Sequence, residues 1–148
     1  MKRTIRENIC AEYSLHDMNI IGFDIQGNDI KMKTQSGIIR VSEPCMQVDG
    51  YVEFQAVDWD FCFVYIFDGI GNVGEFKGKK MMLKDFIQQY SSFSFSIIDE
   101  VYGYNQTKYW GWLTVNRNTS ECIIEIYHAK DMVFVGKTLY ENGTCGIS

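Results

Sequence analysis

Hydrophobic and polar positions alternate along most of this chain, and a period of two is typical of β-strands that cover one face. The clearest example is a hairpin over residues 19–33, which turns at Gly27-Asn28-Asp29 and carries on its first strand Ile21, Phe23 and Ile25. Glycine and asparagine supply the positive φ that tight hairpin turns need. We expect a half-buried pair near a sheet edge, with the lysines of its second strand across from Asp24 and Gln26.

The run Phe61-Cys62-Phe63-Val64-Tyr65-Ile66-Phe67 contains no charged residue. Its β-branched and aromatic residues favour a strand over a helix, and the run is too short to span a membrane. Alternation gives it an aromatic face, Phe61, Phe63, Tyr65 and Phe67, and a face of smaller side chains, Cys62, Val64 and Ile66. Because neither face is charged, we predict an interior strand that is covered on both sides.

Similar patterns predict the remaining strands, at residues 38–41, 51–57, 93–102, 108–115, 121–128 and 132–135. Leu83, Phe86, Ile87 and Tyr90 recur at helical spacing and predict one helix, over residues 83–90. The fold class that follows is α+β and predominantly β. About nine antiparallel strands form a curled sheet or a barrel-like sandwich with that helix inserted.

Length and charge narrow the possible functions. The 148 residues suit one domain over 1–148, and the net charge of −5 argues against nucleic-acid binding. Five scattered cysteines without a CxxC pair predict neither a disulfide framework nor a zinc site. No apolar run follows Met1-Lys2-Arg3, so we expect no signal peptide, no membrane association and a cytoplasmic protein.

A literal GxGxxG motif, Gly69-Ile70-Gly71-Asn72-Val73-Gly74, follows the apolar run. In dinucleotide-binding folds a helix begins within this motif and receives the pyrophosphate. Here helical spacing begins only at Leu83, so we interpret the glycines as a loop and expect no cofactor. The alternative is an anion site for a phosphate or an acidic partner, made by Gly71, Gly74, Lys77, Lys79 and Lys80.

Aromatic residues are dense around a predicted turn at residues 103–105. Tyrosine and tryptophan are common in binding hot spots and ligand pockets, and β-cores use them as well. Trp110 and Trp112 share one face of their strand, and Tyr109 lies on the other. The interaction surface that we predict consists of Tyr102, Tyr104, Asn105, Lys108, Trp110 and Trp112.

Any imidazole chemistry would depend on His16 and His128. His128 falls on the apolar face of its strand, which favours a packed or hydrogen-bonded side chain over a general base. No GxSxG, HExxH or paired-carboxylate spacing occurs, so we predict no catalytic residue and no metal site.

Leu15-His16-Asp17, Ile20-Ile21 and the following hairpin resemble the N-terminal LHD opening of several families of small uncharacterised bacterial β-rich proteins. The resemblance covers residues 15–33. Some of these families resemble immunity proteins, which neutralise toxins by binding them. The resemblance implies no catalytic residue. We expect a structural role for Asp17, whose carboxylate can accept backbone N–H bonds at the strand entrance while His16 packs beside it.

The sequence therefore predicts a non-enzymatic module that binds a protein partner and is immunity-like. The alternative is a small-molecule-binding barrel or an enzyme, with a pocket inside the curled sheet lined by His128, Tyr104 and Glu125. Aromatic side chains on an outer surface would favour the first function, and a closed cavity would favour the second.

Overall fold

A computed structural model describes residues 1–6, 12–41, 45–68 and 77–137 of the chain. Thirteen strands, one 3-10 helix and one α-helix occur within these ranges. In chain order they are β1 (Lys2–Ile5), β2 (Tyr13–Ser14), β3 (Asn19–Gln26), β4 (Asp29–Thr34), β5 (Ile38–Arg40), β6 (Met46–Val48), β7 (Gly50–Phe54), η1 (Trp59–Phe61), β8 (Phe63–Phe67), β9 (Gly78–Met82), α1 (Leu83–Gln89), β10 (Ser94–Gly103), β11 (Gln106–Val115), β12 (Asn118–Tyr127) and β13 (Met132–Gly136).

Ten strands form one large antiparallel sheet in the order β1-β13-β7-β4-β3-β10-β11-β12-β8-β9. A second, small sheet has the order β2-β5-β6. The large sheet is open in the described ranges, with β1 and β9 at its two edges. This architecture confirms the predicted class, and the curled sheet is the form observed rather than a barrel.

The helix and the small sheet cover one side of the large sheet, which we call the inner face. Leu83 and Phe86 of α1 join the same apolar cluster as Ile38 of the small sheet. The rings of Phe86 and Phe93 lie 5.1 Å apart, and those of Tyr13 and Phe134 lie 5.5 Å apart. Burial of such side chains stabilises the fold by about 1.5–3 kcal/mol each.

The predicted helix over residues 83–90 is confirmed, with one residue fewer at its end. Met82 precedes it and offers no side-chain cap. The backbone N–H of Leu83 instead donates to the carbonyl of Cys62, at 2.8 Å, so strand β8 satisfies one of the donors that a helix start exposes. The helix has seven residues, and the described ranges contain no helix long and apolar enough to cross a membrane.

The hairpin of β3 and β4 forms, and Asp24 lies opposite Lys31 as predicted, but Gln26 lies opposite Asp29 and not opposite a lysine. A register irregularity between Ile20 and Gly22 changes which side chains are covered. Ile20 and Phe23 are buried, whereas Ile21 and Ile25 are 42% and 44% exposed. The prediction that Ile21 and Ile25 share a covered face with Phe23 is therefore wrong. The predicted edge position is also wrong, because β3 lies between β4 and β10.

Only one of the two faces of the run over residues 61–67 is covered, whereas we predicted that both would be. Cys62, Val64 and Ile66 are buried against the core, which matches the alternation. Phe61 lies in η1 rather than in the strand and is 56% exposed. The remaining aromatic residues of β8 are only partly buried and point away from the inner face. The expectation of a strand covered on both sides is wrong, because no described element packs over that outer side as α1 does over the inner side.

Candidate functional site

Three neighbouring strands, β11, β12 and β8, carry partly exposed aromatic side chains on the outer side of the large sheet. Antiparallel pairing places Trp110 beside Ile123, and Ile123 beside Tyr65. Their strand neighbours Tyr109, Ile124 and Val64 point inward and are fully buried, which turns the aromatic set outward. We call this set the outer aromatic face; it consists of Phe63, Tyr65, Phe67, Trp110, Trp112 and Ile123.

Two more aromatic residues extend the outer aromatic face toward η1. Phe61 and Tyr127 are 56% and 37% exposed, and their ring centroids lie 6.2 Å apart. Trp110 and Trp112, two residues apart on β11, have ring centroids 6.3 Å apart. Trp110, Ile123 and Tyr65 thus form an apolar row across three adjacent strands, flanked on β12 by Glu121 and Glu125. Partly exposed apolar residues that polar groups surround are typical of interaction surfaces.

Charged groups on the outer aromatic face are paired with their neighbours. The indole N–H of Trp110 donates to Glu121 at 2.6 Å, and the ammonium group of Lys108 lies 3.4 Å from Glu125. The ammonium of Lys80 sits 4.1 Å from the ring centroid of Phe63, within cation–π range. These pairs fix the orientation of the aromatic rings.

The pKa of Tyr65, in the outer aromatic face, is raised above its ordinary value. Burial, together with a hydrogen bond to the carboxylate of Glu125, raises the pKa of Tyr65 to about 12. The tyrosine therefore stays neutral and keeps its hydroxyl proton at physiological pH. Because its hydroxyl donates to the Glu125 carboxylate, this group is no general base.

The residues predicted for an interaction surface lie in different places. Lys108, Trp110 and Trp112 point to the outer side, but Tyr102 lies on the inner side of β10. Its hydroxyl donates to Glu100 at 2.8 Å, and the guanidinium of Arg6 lies 4.7 Å from its ring centroid. Burial and the Glu100 carboxylate raise the pKa of Tyr102 well above its ordinary value. Tyr102 is thus part of a structural network and not of the outer aromatic face.

Tyr104 and Asn105 form the turn between β10 and β11, away from the tryptophans. Tyr104 is 93% exposed, and Asn105 has a φ of 56°. Both border a shallow cavity of about 160 Å³ that Arg6 and His128 also line. The backbone N–H of His128 donates to the carbonyl of Asn105 at 3.0 Å, which ties this turn to the end of β12.

The predicted anion site does not form one cluster in the described residues. Gly71 and Gly74 lie outside the described ranges, as does the whole glycine motif. Lys77, Lys79 and Lys80 are all exposed. Lys80 lies on the outer side of β9, opposite Tyr65, whereas Lys79 lines an inner cleft, because successive strand residues point to opposite faces.

The two histidines differ in their surroundings: His128 is buried with both ring nitrogens beside polar partners, and His16 is exposed. His128 is 2% exposed, and its Nδ1 lies 2.8 Å from the carbonyl of Lys130. Its Nε2 lies 3.3 Å from the hydroxyl of Thr107, which confirms the packed histidine that we predicted. Burial lowers the pKa of His128. His16 is exposed and lies 3.1 Å from the carboxylate of Asp17.

The three residues predicted to line a pocket inside the curled sheet do not lie together. Glu125 points to the outer side, while His128 and Tyr104 border the shallow cavity at the sheet end. A larger cleft, of about 570 Å³, lies elsewhere, between the end of α1 and the turn from β11 to β12. Its lining mixes apolar and polar side chains, among them Ile66, Lys79, Tyr90, Leu113, Asn116 and Ser120.

The sequence analysis identified the tryptophans of β11 as interaction residues, but it assigned the aromatic residues of β8 to the interior. The signal available for β8 was the concentration of its aromatic residues on one side, with small residues on the other.

In the described part of the chain, no three His, Cys, Asp or Glu side chains gather as a metal site would require. No protein-family model and no curated protein matches the sequence, and no solved structure matches the fold.

Proposed function

We propose that this protein is a non-enzymatic module that binds a protein partner through the outer aromatic face. The observation that carries the proposal is the partly exposed apolar row of Trp110, Ile123 and Tyr65 across β11, β12 and β8, with further aromatic residues along β11 and β8. Tryptophan and tyrosine, with arginine, are enriched among the few residues that dominate binding energy, and the two aromatic residues bury large areas with few rotatable bonds. The charged pairs around them would form the polar rim of such an interface.

The kind of partner in this proposal comes from the resemblance of residues 15–33 to immunity-like families. The partner would be a toxin, and binding would neutralise it. A cytoplasmic location is part of the same proposal. It is supported by the three cysteines of the described residues, Cys45, Cys62 and Cys122, none of which forms a disulfide with another described residue, as is usual in reducing compartments.

Affinity capture with matched variants tests this function. Trp112→Ala removes the indole from the outer aromatic face, and we expect it to lose the protein that the wild type retains, with affinity reduced at least about tenfold. Tyr104→Ala is the control, because it deletes a 93% exposed aromatic ring at the turn outside this face. It should retain the partner fully.

Both variants need the same thermal unfolding midpoint as the wild type, within a few degrees, for the comparison to hold. If Trp112→Ala retains the partner as well as the wild type does, the outer aromatic face is not the interface. If Tyr104→Ala alone loses it, the binding site lies at the β10–β11 turn instead.

The cleft of about 570 Å³ favours a second candidate function, the binding of a small polar molecule. Its volume lies in the range of about 300–1,000 Å³ that is common for ligand sites. Lys79 and Asn116 would offer hydrogen-bond donors above an apolar floor that includes Leu113. A screen of small metabolites for a raised unfolding temperature tests this candidate, with Leu113→Trp as the variant that fills the cleft and should abolish any shift.

A further inference from the structure

Strand β9 ends the large sheet next to the outer aromatic face, and its outward backbone groups can be identified. The N–H of Asp68 donates to the carbonyl of Lys77 at 2.6 Å, and the N–H of Leu83 donates to that of Cys62 at 2.8 Å. In an antiparallel ladder, residues that exchange such bonds alternate with residues whose polar groups point away from the partner strand. The N–H groups of Gly78, Lys80 and Met82 therefore point away from β8.

No described strand pairs with that open side of β9. A sheet edge of this kind presents a row of donors and acceptors to which another chain can add as a strand. Lys80 projects from it on the outer side and Lys79 on the inner side, and both are exposed. An added strand would thus meet a lysine on each of its two faces.

We propose that the protein partner docks by adding an extended acidic segment as a strand beside β9. This inference rests on the proposed function, because the added strand would continue the surface formed by the outer aromatic face. Glutamate or aspartate side chains at two successive positions of the added strand would pair with Lys79 and Lys80 across the new ladder. Opposite charges on neighbouring strands favour pairing, and like charges directly opposite disfavour it.

The same charges argue against a second copy of this chain as the occupant. Antiparallel pairing of two β9 strands centred on Lys80 would place like charges directly opposite each other, which is destabilising. The other sheet edge, β1, carries Lys2 and Arg3, so pairing of β9 with β1 of another copy would also bring basic residues together. Lysines on an edge strand repel such self-association.

Titration with a synthetic peptide, followed by amide NMR signals, tests the inference. The probe is a blocked peptide of about eight mostly β-branched residues with two adjacent central glutamates, a length that suits one edge strand. We expect shifts that alternate along β9, large for the amides of Gly78, Lys80 and Met82 and small for those of Lys79 and Met81. The same peptide with two lysines should bind about tenfold more weakly.

Two variants at one position separate backbone pairing from charge. Lys80→Ala removes the ammonium group, and Lys80→Pro removes it together with the outward N–H, while the ladder to β8 keeps its bonds. We expect Lys80→Pro to bind the glutamate peptide about fivefold more weakly than Lys80→Ala does. Equal binding by these two variants, provided both keep the wild-type fold, would overturn strand addition.

Inorganic phosphate is the last arm of the test. If phosphate displaces the glutamate peptide and no alternating amide shift occurs, the lysines hold anions without strand addition, and the inference is overturned. That result would leave the proposed function standing if capture of the partner still depended on Trp112. Loss of that dependence would overturn the proposed function itself.

Discussion

His128 is enclosed at the end of β12, where its ring contacts Phe54 at a centroid distance of 5.4 Å. Burial is the main cause that lowers its pKa, and the positive charge of Arg6 acts in the same direction. The carbonyl of Lys130 and the carboxylate of Asp131 oppose these effects, since each favours the protonated ring. The imidazole is therefore neutral in the folded protein at pH 7.

This residue gives a stability prediction with a definite sign. The unfolded state protonates His128 near its ordinary pKa of about 6.5, whereas the folded state does so only at lower pH. Between these two values the unfolded state binds more protons, so the free energy of unfolding falls as pH drops below about 6.5, by up to about 1.4 kcal/mol per pH unit.

Urea denaturation of the wild type and of His128→Gln, at pH 7.5 and pH 5.5, measures this effect. The stability loss on acidification should be smaller in the variant, because glutamine has no proton to bind in either state. An equal loss in both proteins would show that His128 is not the group responsible.

Among the elements, the backbone of β10 lies directly beside Gly111 of β11. A Cβ atom built there would lie 1.9 Å from the carbonyl oxygen of Ser96, far inside any real contact. The register of this pair shifts between Ile97 and Asp99, immediately beyond that approach. The absence of a side chain at Gly111 lets the two strands pair where the sheet is irregular.

We expect Gly111→Ala to destabilise the fold by about 1–3 kcal/mol or more, because backbone must move to admit the methyl group. Gly22→Ala is the matched control, since its Cβ would meet only the flexible end of Lys33, at 3.3 Å. Thermal unfolding of both variants makes the comparison. A similar decrease in both would contradict the close approach at Gly111.

The elements that we predicted correctly from the sequence are those whose pattern lies within one short segment. The strand predicted over residues 121–128 has strict alternation, and a turn with positive φ at Asn116 and Arg117 connects β12 to β11. Helix α1 has Leu83, Phe86 and Ile87 at helical spacing, and Tyr90 follows at its C-cap. Strand β9, with the sequence GKKMM, has neither alternation nor β-branched residues, and it forms only because β8 offers an unpaired side.

On the scale of the whole molecule, the strand order depends on pairings between distant segments. Strand β1 at the start of the chain pairs with β13 near its end, and β3 pairs with β10. No local pattern encodes these partners. From the sequence we predicted that the tryptophans of β11 bind a partner. They lie near Tyr65 only because β8 pairs with β12.

The same distant pairing explains why the aromatic residues of β8 were assigned to a covered interior. An apolar run looks alike whether a helix, another sheet or a partner protein covers it. The helix covers one side of β8, through Leu83 and Phe86, and we attribute the other side to a partner.

Footprinting of the captured complex by hydroxyl radicals tests that attribution most directly. Oxidation of Trp110 and Trp112 should fall at least about fivefold when the partner is bound, because a docked interface excludes water from its central aromatic residues. Tyr104, at the exposed turn, should be oxidised equally in the free and bound protein. Unchanged oxidation of both tryptophans in the complex would contradict the account.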